Sequence, residues 1–257
     1  VRESLLDKRA AEVRAMFARI APRYDLVNRV LSLGQDVRWR REIARRVAAA
    51  APRVVLDVCT GTGDLALGFD GRSGWVAGAD FCVPMLAEAR RKTSDHARDP
   101  AWFAADALQL PLRDASVDVV TVAFGVRNFE DLDRGLAELI RILAPGGRLL
   151  VLEFSRPRGP VAPLLSWWMR HVPPRIGGRL SGDREAYTYL PTTVGTFPDT
   201  DEMTRRLRGH GLDPVTARPF TGGVATLYDG VTPVSEPPRR PSDDDPIEDL
   251  HDDRGTQ

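Results

Sequence analysis

Three short stretches of the chain bring together residues suited to holding a nucleoside. Asp57-Val-Cys-Thr-Gly61-Thr-Gly63 follows an apolar run. Glycines there permit a tight turn and let a ligand approach the backbone where a Cβ would collide. Amides at the start of a following helix favour an anionic group, whether a phosphate or the carboxylate of an amino acid. Asp80, seventeen residues beyond Gly63, ends a second apolar run, where a carboxylate can accept hydrogen bonds from two ribose hydroxyls. Asp106-Ala107 ends a third. A carboxylate at that point suits an adenine amino group, and a backbone amide suits the ring nitrogen.

Such residues converge only if strands and helices alternate. The pattern from Arg53 onward predicts this: strands at Arg53–Val58, Trp75–Asp80, Trp102–Ala105, Val117–Phe124 and Arg148–Phe154. Helices are expected from Asp64 to Phe69, from Pro84 to about Thr93, and along Leu132, Leu136, Leu139, Ile140 and Leu143, ending before Pro145-Gly-Gly147. A further helix near Asp201–His210 precedes a hairpin of Asp213–Phe220 and Val224–Tyr228 around Thr221-Gly-Gly223. The expected architecture is α/β, a mostly parallel sheet with helices on both faces, whose ligands sit at the strands' carboxyl ends. Val13, Met16, Phe17 and Ile20 show helical spacing before Pro22, and a second helical pattern runs from Asp36 to Ala50. Residues 1–52 therefore form an N-terminal helical cover and 53–231 the sheet domain. Residues 155–190 are a substrate-covering insertion rich in proline, arginine and aromatics. The acidic tail 232–257 is expected to be disordered.

Gly61-x-Gly63-x-x-Ala66 also satisfies the loose dinucleotide fingerprint, so these residues leave a nicotinamide dinucleotide and a nucleoside methyl donor both open. The third acid at Asp106, the short helix after the glycines and the closing hairpin favour the second. Composition excludes other classes. No apolar run of the 257 residues reaches the roughly 18 to 20 needed to span a bilayer, and the charged opening segment lacks a secretory pattern. The cytoplasm is the expected location. Cys59 and Cys82 are too few for a disulfide framework or a zinc site, so no metal is expected. Zero net charge hides an asymmetry: residues 1–53 carry 13 bases against six acids, and Ser235–Gln257 eight acids against three bases. A basic face suits peripheral contact with an anionic membrane, whereas no basic run with interleaved aromatics suits nucleic acid.

Longer motifs narrow the choice. Tyr24-Asp-Leu-Val-Asn28-Arg-Val-Leu-Ser32-Leu-Gly-Gln-Asp36-Val-Arg-Trp39 closely resembles the N-terminal signature of the ubiquinone/menaquinone biosynthesis methyltransferases. Arg141-Ile-Leu-Ala-Pro-Gly-Gly-Arg-Leu-Leu-Val-Leu-Glu-Phe-Ser155 resembles that family's second signature. Phe124-Gly-Val-Arg127-Asn128, Pro174–Gly177 and Tyr187–Leu190 are similar to further family segments. The resemblance, covering about residues 10 to 230, implies a Rossmann-like class I methyltransferase with a seven-stranded sheet, the last strand antiparallel. It implies S-adenosylmethionine as the cofactor, with Thr62 and Asp80 in contact with it and Asp106 and Ala107 holding adenine; Asp57, Gly61 and Gly63 of the glycine turn, and Ala123 without a hydroxyl contact, complete the expected cofactor site. Ala123 stands where relatives often carry serine. The segment around Tyr228 also departs from the family pattern, which has a histidine nearby.

The implied substrate is a prenylated quinol, most simply demethylmenaquinol. The alternatives are a polyprenyl-methoxy-benzoquinol, another hydrophobic small molecule, or a cofactor-binding scaffold without turnover. A quinol carbon becomes nucleophilic when a neighbouring hydroxyl, with a pKa of about 10 like tyrosine's, loses its proton. Arg127 is the expected contributor, a fixed cation for the phenolate, with a water carrying the proton. Its bland alternative is a salt bridge to Glu130 or Asp131. Asn128 either positions a quinol oxygen or caps the helix near Glu130. Tyr24 and Asp25 are expected to close over the pocket, with core packing the competing role for Tyr24. His171 is a weak candidate base and Glu153 a pocket or supporting residue. Leu164–Arg170, apolar and aromatic, suits a prenyl tail or the membrane interface.

Overall fold

The computed structural model describes residues 2–69, 74–93, 99–181 and 193–234. The Tyr187–Leu190 motif, the last part of the expected insertion and the acidic tail from Ser235 lie outside the described residues.

Runs of valine, leucine and alanine form seven strands: β1 (Val54–Val58), β2 (Trp75–Asp80), β3 (Ala101–Ala104), β4 (Val117–Ala123), β5 (Leu143–Phe154), β6 (Val215–Phe220) and β7 (Ala225–Val231). They join in one sheet of order β3-β2-β1-β4-β5-β7-β6. Strands β1 to β5 pair in parallel, and β7 runs antiparallel to both β5 and β6. The hairpin expected at the chain's end is therefore β6–β7. From β1 the chain moves outward to β2 and β3, then crosses back to β4 and on to β5. That reversal opens a crevice at the carboxyl ends of β1 and β4, where ligands of such sheets bind.

Both sheet faces are covered, because alternate strand residues point to opposite sides. Helix α3 (Gln35–Ala50) buries Trp39, Ile43 and Val47 at helical spacing against Val55, Val119, Leu150 and Leu227. On the other face Leu136 and Leu139 of α5 (Leu132–Arg141), with Met203 and Leu207 of α7 (Thr200–Gly209), meet Leu56, Val120 and Val151. The two helices begin at built caps: Asp131 accepts from the Arg134 amide, and Asp199 from the Asp201 and Glu202 amides.

Over the crevice lie α1 (Arg2–Ile20), α2 (Tyr24–Leu31) and α6 (Ala162–Ser181), while α4 (Val83–Lys92) packs beside β2 and β3. Met16, Ile20, Val27, Cys82 and Met85 share a small core that fixes α1 and α2 on α4. Among the described residues, no helix is long and apolar enough to cross a membrane.

Three sequence expectations need correction. Asp64–Phe69 forms only a 3-10 turn at Ala66–Gly68, so no α-helix dipole points at the glycine turn. Leu143 belongs to β5, which starts before Pro145 with a register shift opposite Val117 and Val119. The tail does not come free at 232: Thr232 donates its amide to Gly147 and its hydroxyl to Ala144, while Pro233 accepts from the Gly146 amide. These contacts satisfy backbone groups that the irregular start of β5 leaves unpaired.

Candidate active site

Two cavities open above the crevice. The first, of about 360 Å³, is walled by the ends of β1, β2 and β4, the loop after β3, and α1. Gly61, Asp80, Asp106, Ala107, Ala123, Asn128 and Tyr24 all border it. The backbone is bent hard around it, since Cys59 after β1 has φ 55° and Phe124 after β4 has φ 61°, both in the left-handed region. Conformations of that kind cost of order 1–3 kcal/mol each for such residues and cluster at ligand sites. Gly61 is also left-handed, and a Cβ there would meet nothing within 4 Å, which leaves open space for a ligand.

Asp80 is buried and accepts amides from Gly61 (2.8 Å) and Cys82 (2.8 Å). Burial raises its carboxyl above the usual range, against the lowering effect of those amides. The Asp106 carboxylate accepts from the Leu108 amide at 2.9 Å. Each acid keeps lone pairs for a ligand.

Asp57, Thr62 and Gly63 stand behind this wall. The Asp57 carboxylate accepts from Thr60 (2.6 Å) and Thr121 (2.6 Å), tying the ends of β1 and β4 together, and burial pushes its pKa up to about 6. Thr62 donates to Asp25 (2.5 Å), which also binds Lys92 (2.5 Å). Lys92 reaches Asp64 as well, at 2.6 Å. This network fastens α2 to the glycine turn. A Cβ on Gly63 would fall 2.6 Å from Trp102, so its bare backbone accommodates that indole.

The second cavity is larger, about 590 Å³, and apolar. Helices α1, α2, α3 and α6 surround it, with Trp39, Phe154 and Trp168 among its walls. Its buried charges are Arg127 and the Asp36–Arg40 pair. The Arg127 guanidinium donates to Glu153 (2.7 Å) and to the Phe124 carbonyl (2.6 Å), and lies over the Phe154 ring. Glu153 is 0% exposed and Arg127 7%. The salt-bridge partner is thus Glu153 on the neighbouring strand, not Glu130 or Asp131. Arg127 Nε is buried without a hydrogen-bond partner among the described residues. Asn128 does not cap α5, a role that Asp131 fills. His171 stacks on Trp167 and contacts its carbonyl at 2.8 Å, and it lines neither cavity.

Phe17, Tyr24 and Phe124 border both cavities. Sequence reasoning singled out only Tyr24 of these three. Burial raises the Tyr24 phenol, with Arg127 and Arg40 opposing that rise. Sequence reasoning also missed Glu130, which borders the first cavity, and for Cys59 and Asp25 it missed the roles described above.

A cavity bordered by the acids Asp80 and Asp106, sharing an aromatic partition with a second, apolar one on this strand order, has the architecture of a Rossmann-like class I methyltransferase. A SAM-dependent methyltransferase from Thermotoga maritima has a similar fold, with a TM-score of 0.53 and 18% identity, over 85% of this chain and 99% of that one. The ubiE/COQ5 methyltransferase family model matches residues 5–232. The chain belongs to that family. It is 46% identical to the demethylmenaquinone methyltransferase of Thermus thermophilus, over 85% of this chain and 100% of the relative. Identity to the enzyme of the same name from Deinococcus radiodurans is 47%, over 85% and 91%.

Proposed function

We propose that this protein transfers a methyl group from S-adenosylmethionine to a ring carbon of a prenylated quinol, demethylmenaquinol in the first instance. The observation that carries this reading is the pair of cavities sharing Phe17, Tyr24 and Phe124 as a common wall. Gly61, Asp80, Asp106 and Ala107 suit the adenosyl moiety, and the apolar cavity suits a naphthoquinol ring and its tail. The names of the Thermus and Deinococcus relatives favour the naphthoquinol over the benzoquinol.

Bound S-adenosylmethionine supplies an electrophilic methyl on a positive sulfur. The protein's task is then to align a nucleophilic carbon and exclude water. Tyr24, Phe17 and Phe124 would border the reacting atoms with apolar surface. Arg127, which lines the apolar cavity, would donate a hydrogen bond to the quinol oxygen as its proton passes to water. Its ion pair with Glu153 changes the expected role. Arg127 acts less as a free cation than as a fixed donor, held in place by Glu153 and the Phe124 carbonyl. The Asp25 contacts to Thr62 and Lys92 keep α2, and so Tyr24, seated on the donor loop.

Leu33, Leu164 and Trp167 line the second cavity and are also exposed, at 71%, 67% and 54%. We read this rim as the passage for the prenyl tail and as a point of peripheral contact with lipid. Incubation with labelled methyl donor and each reduced quinone, followed by mass analysis, tests the assignment. Menaquinol, formed by methylation of demethylmenaquinol, is the expected product. Exclusive methylation of the benzoquinol would reassign the substrate, and donor binding without transfer to either would favour a scaffold.

A further inference from the structure

The donor cavity contains a carboxylate that neither the sequence motifs nor the mechanism uses. Glu130 lies just after the 3-10 turn Val126–Asn128 that follows β4, and borders the first cavity. Its Oε1 is buried and has no hydrogen-bond partner among the described residues. A carboxylate oxygen buried without a donor is costly, so this carboxylate gains stability by turning toward a ligand in the cavity that brings an N–H or O–H.

Its place indicates which part of a ligand does so. A Cβ on Gly135 would fall 2.2 Å from Phe129 Cδ2 and 3.2 Å from Leu108 Cδ2, so the side chains of Phe129 and Leu108 meet over Gly135. The Phe129–Glu130 segment therefore abuts the Asp106–Leu108 loop, and all five of these residues border the cavity. On the donor reading above, that loop faces adenine. Asp106 Oδ1 already accepts from the Leu108 amide, which leaves one oxygen for a ligand. An exocyclic amino group carries two N–H donors and needs two acceptors.

We propose that Glu130 accepts a hydrogen bond from the adenine amino group of the bound donor, as the second acceptor beside Asp106. The inference rests on the donor reading. It makes Glu130 a specificity-determining residue, one that discriminates an adenosyl from an inosyl ligand. With hypoxanthine a carbonyl oxygen would face the carboxylate, and the pair would repel.

The test is calorimetric binding of S-adenosylhomocysteine and S-inosylhomocysteine to the wild type and to Glu130→Ala, Glu130→Met and Glu130→Gln. Methionine keeps the bulk without a strong acceptor, should truncation to alanine disturb the fold. The wild type is expected to prefer the adenosyl ligand by more than tenfold. The alanine and methionine variants should lose roughly tenfold of that preference, the scale of one charge-assisted hydrogen bond. Glutamine, which retains an acceptor oxygen, should keep most of it. An unchanged ratio in the alanine or methionine variant, as an ammonium contact would give, overturns the role of Glu130 while leaving the donor site intact. Failure of the wild type to bind S-adenosylhomocysteine would overturn both.

Discussion

The two cavities are made in different ways. The first rests on strand ends: its bends at Cys59 and Phe124 and the Asp57 link from Thr60 to Thr121 belong to the sheet. Three acids, Asp80, Asp106 and Glu130, border it, with Arg14 stacked over Phe81 on the same wall. The second rests on helices packed over the sheet, and its walls are apolar apart from a few polar groups, chiefly Arg127 and the Asp36–Arg40 pair. A site built of strand ends with fixed acids suits a ligand of constant shape, such as a nucleoside. A helical, apolar one can take a ring whose tail varies in length, because hydrophobic contact is non-directional.

Substitutions should divide along that line. Arg127→Ala should have the largest effect, lowering turnover 10² to 10³-fold, the usual loss on deleting one transition-state donor, with donor affinity nearly unchanged by calorimetry. It also strands Glu153, at a stability cost of about 3–5 kcal/mol. Arg127→Lys should restore much of the stability but little of the turnover. Asp80→Ala should do the reverse, weakening donor binding about 10 to 100-fold through lost charge-assisted hydrogen bonds while the quinol KM holds. If both variants changed both parameters alike, the division would be wrong.

Asp57 gives a third expectation, read by denaturant titration against pH. Burial pushes its carboxyl from 3.8 to about 6, so the folded state holds this proton more tightly than the unfolded chain. Its contribution is fully present below pH about 4 and is lost as pH rises through about 6. The whole change is on the order of 3 kcal/mol. Asp57→Asn should flatten that part of the profile, and an unaltered profile would deny that burial governs Asp57. Trp167→Ala should have the smallest effect, raising KM a few-fold for long-tailed quinols and not at all for a tail-less one. An equal rise for both would place Trp167 against the ring.

Much of the first cavity was legible in the sequence, because its residues sit at fixed places after apolar runs. Asp80 and Asp106 end or follow strands, and β2 spans Trp75–Asp80 as the pattern predicts. Legibility failed where contacts are long-range. Tyr24–Leu31 is a helix of eight residues, too short for periodicity to distinguish from an irregular cover. The turn after Gly63 stops at Gly68 after one 3-10 turn, since glycine favours neither continuation nor helix. The Arg127–Glu153 pair spans 26 positions and arises from the pairing of β4 with β5, where Ala123 opposes Leu152. One signal was available. An acid closing the apolar run Leu149–Leu152 must be paired if buried, and Arg127 follows the adjacent strand. Glu130 carried no signal at all, because a single acid before a helix cap looks like ordinary solvated charge.

A crystal structure with both S-adenosylhomocysteine and a short-tailed quinone would settle how the two cavities cooperate. The account requires adenine against Asp106–Leu108, the ribose on Asp80, and the thioether sulfur beside Tyr24 and Phe124. The quinone ring should lie across that partition with one oxygen on Arg127. Both ligands in a single cavity, or a ring bound away from Arg127 and Tyr24, would contradict it.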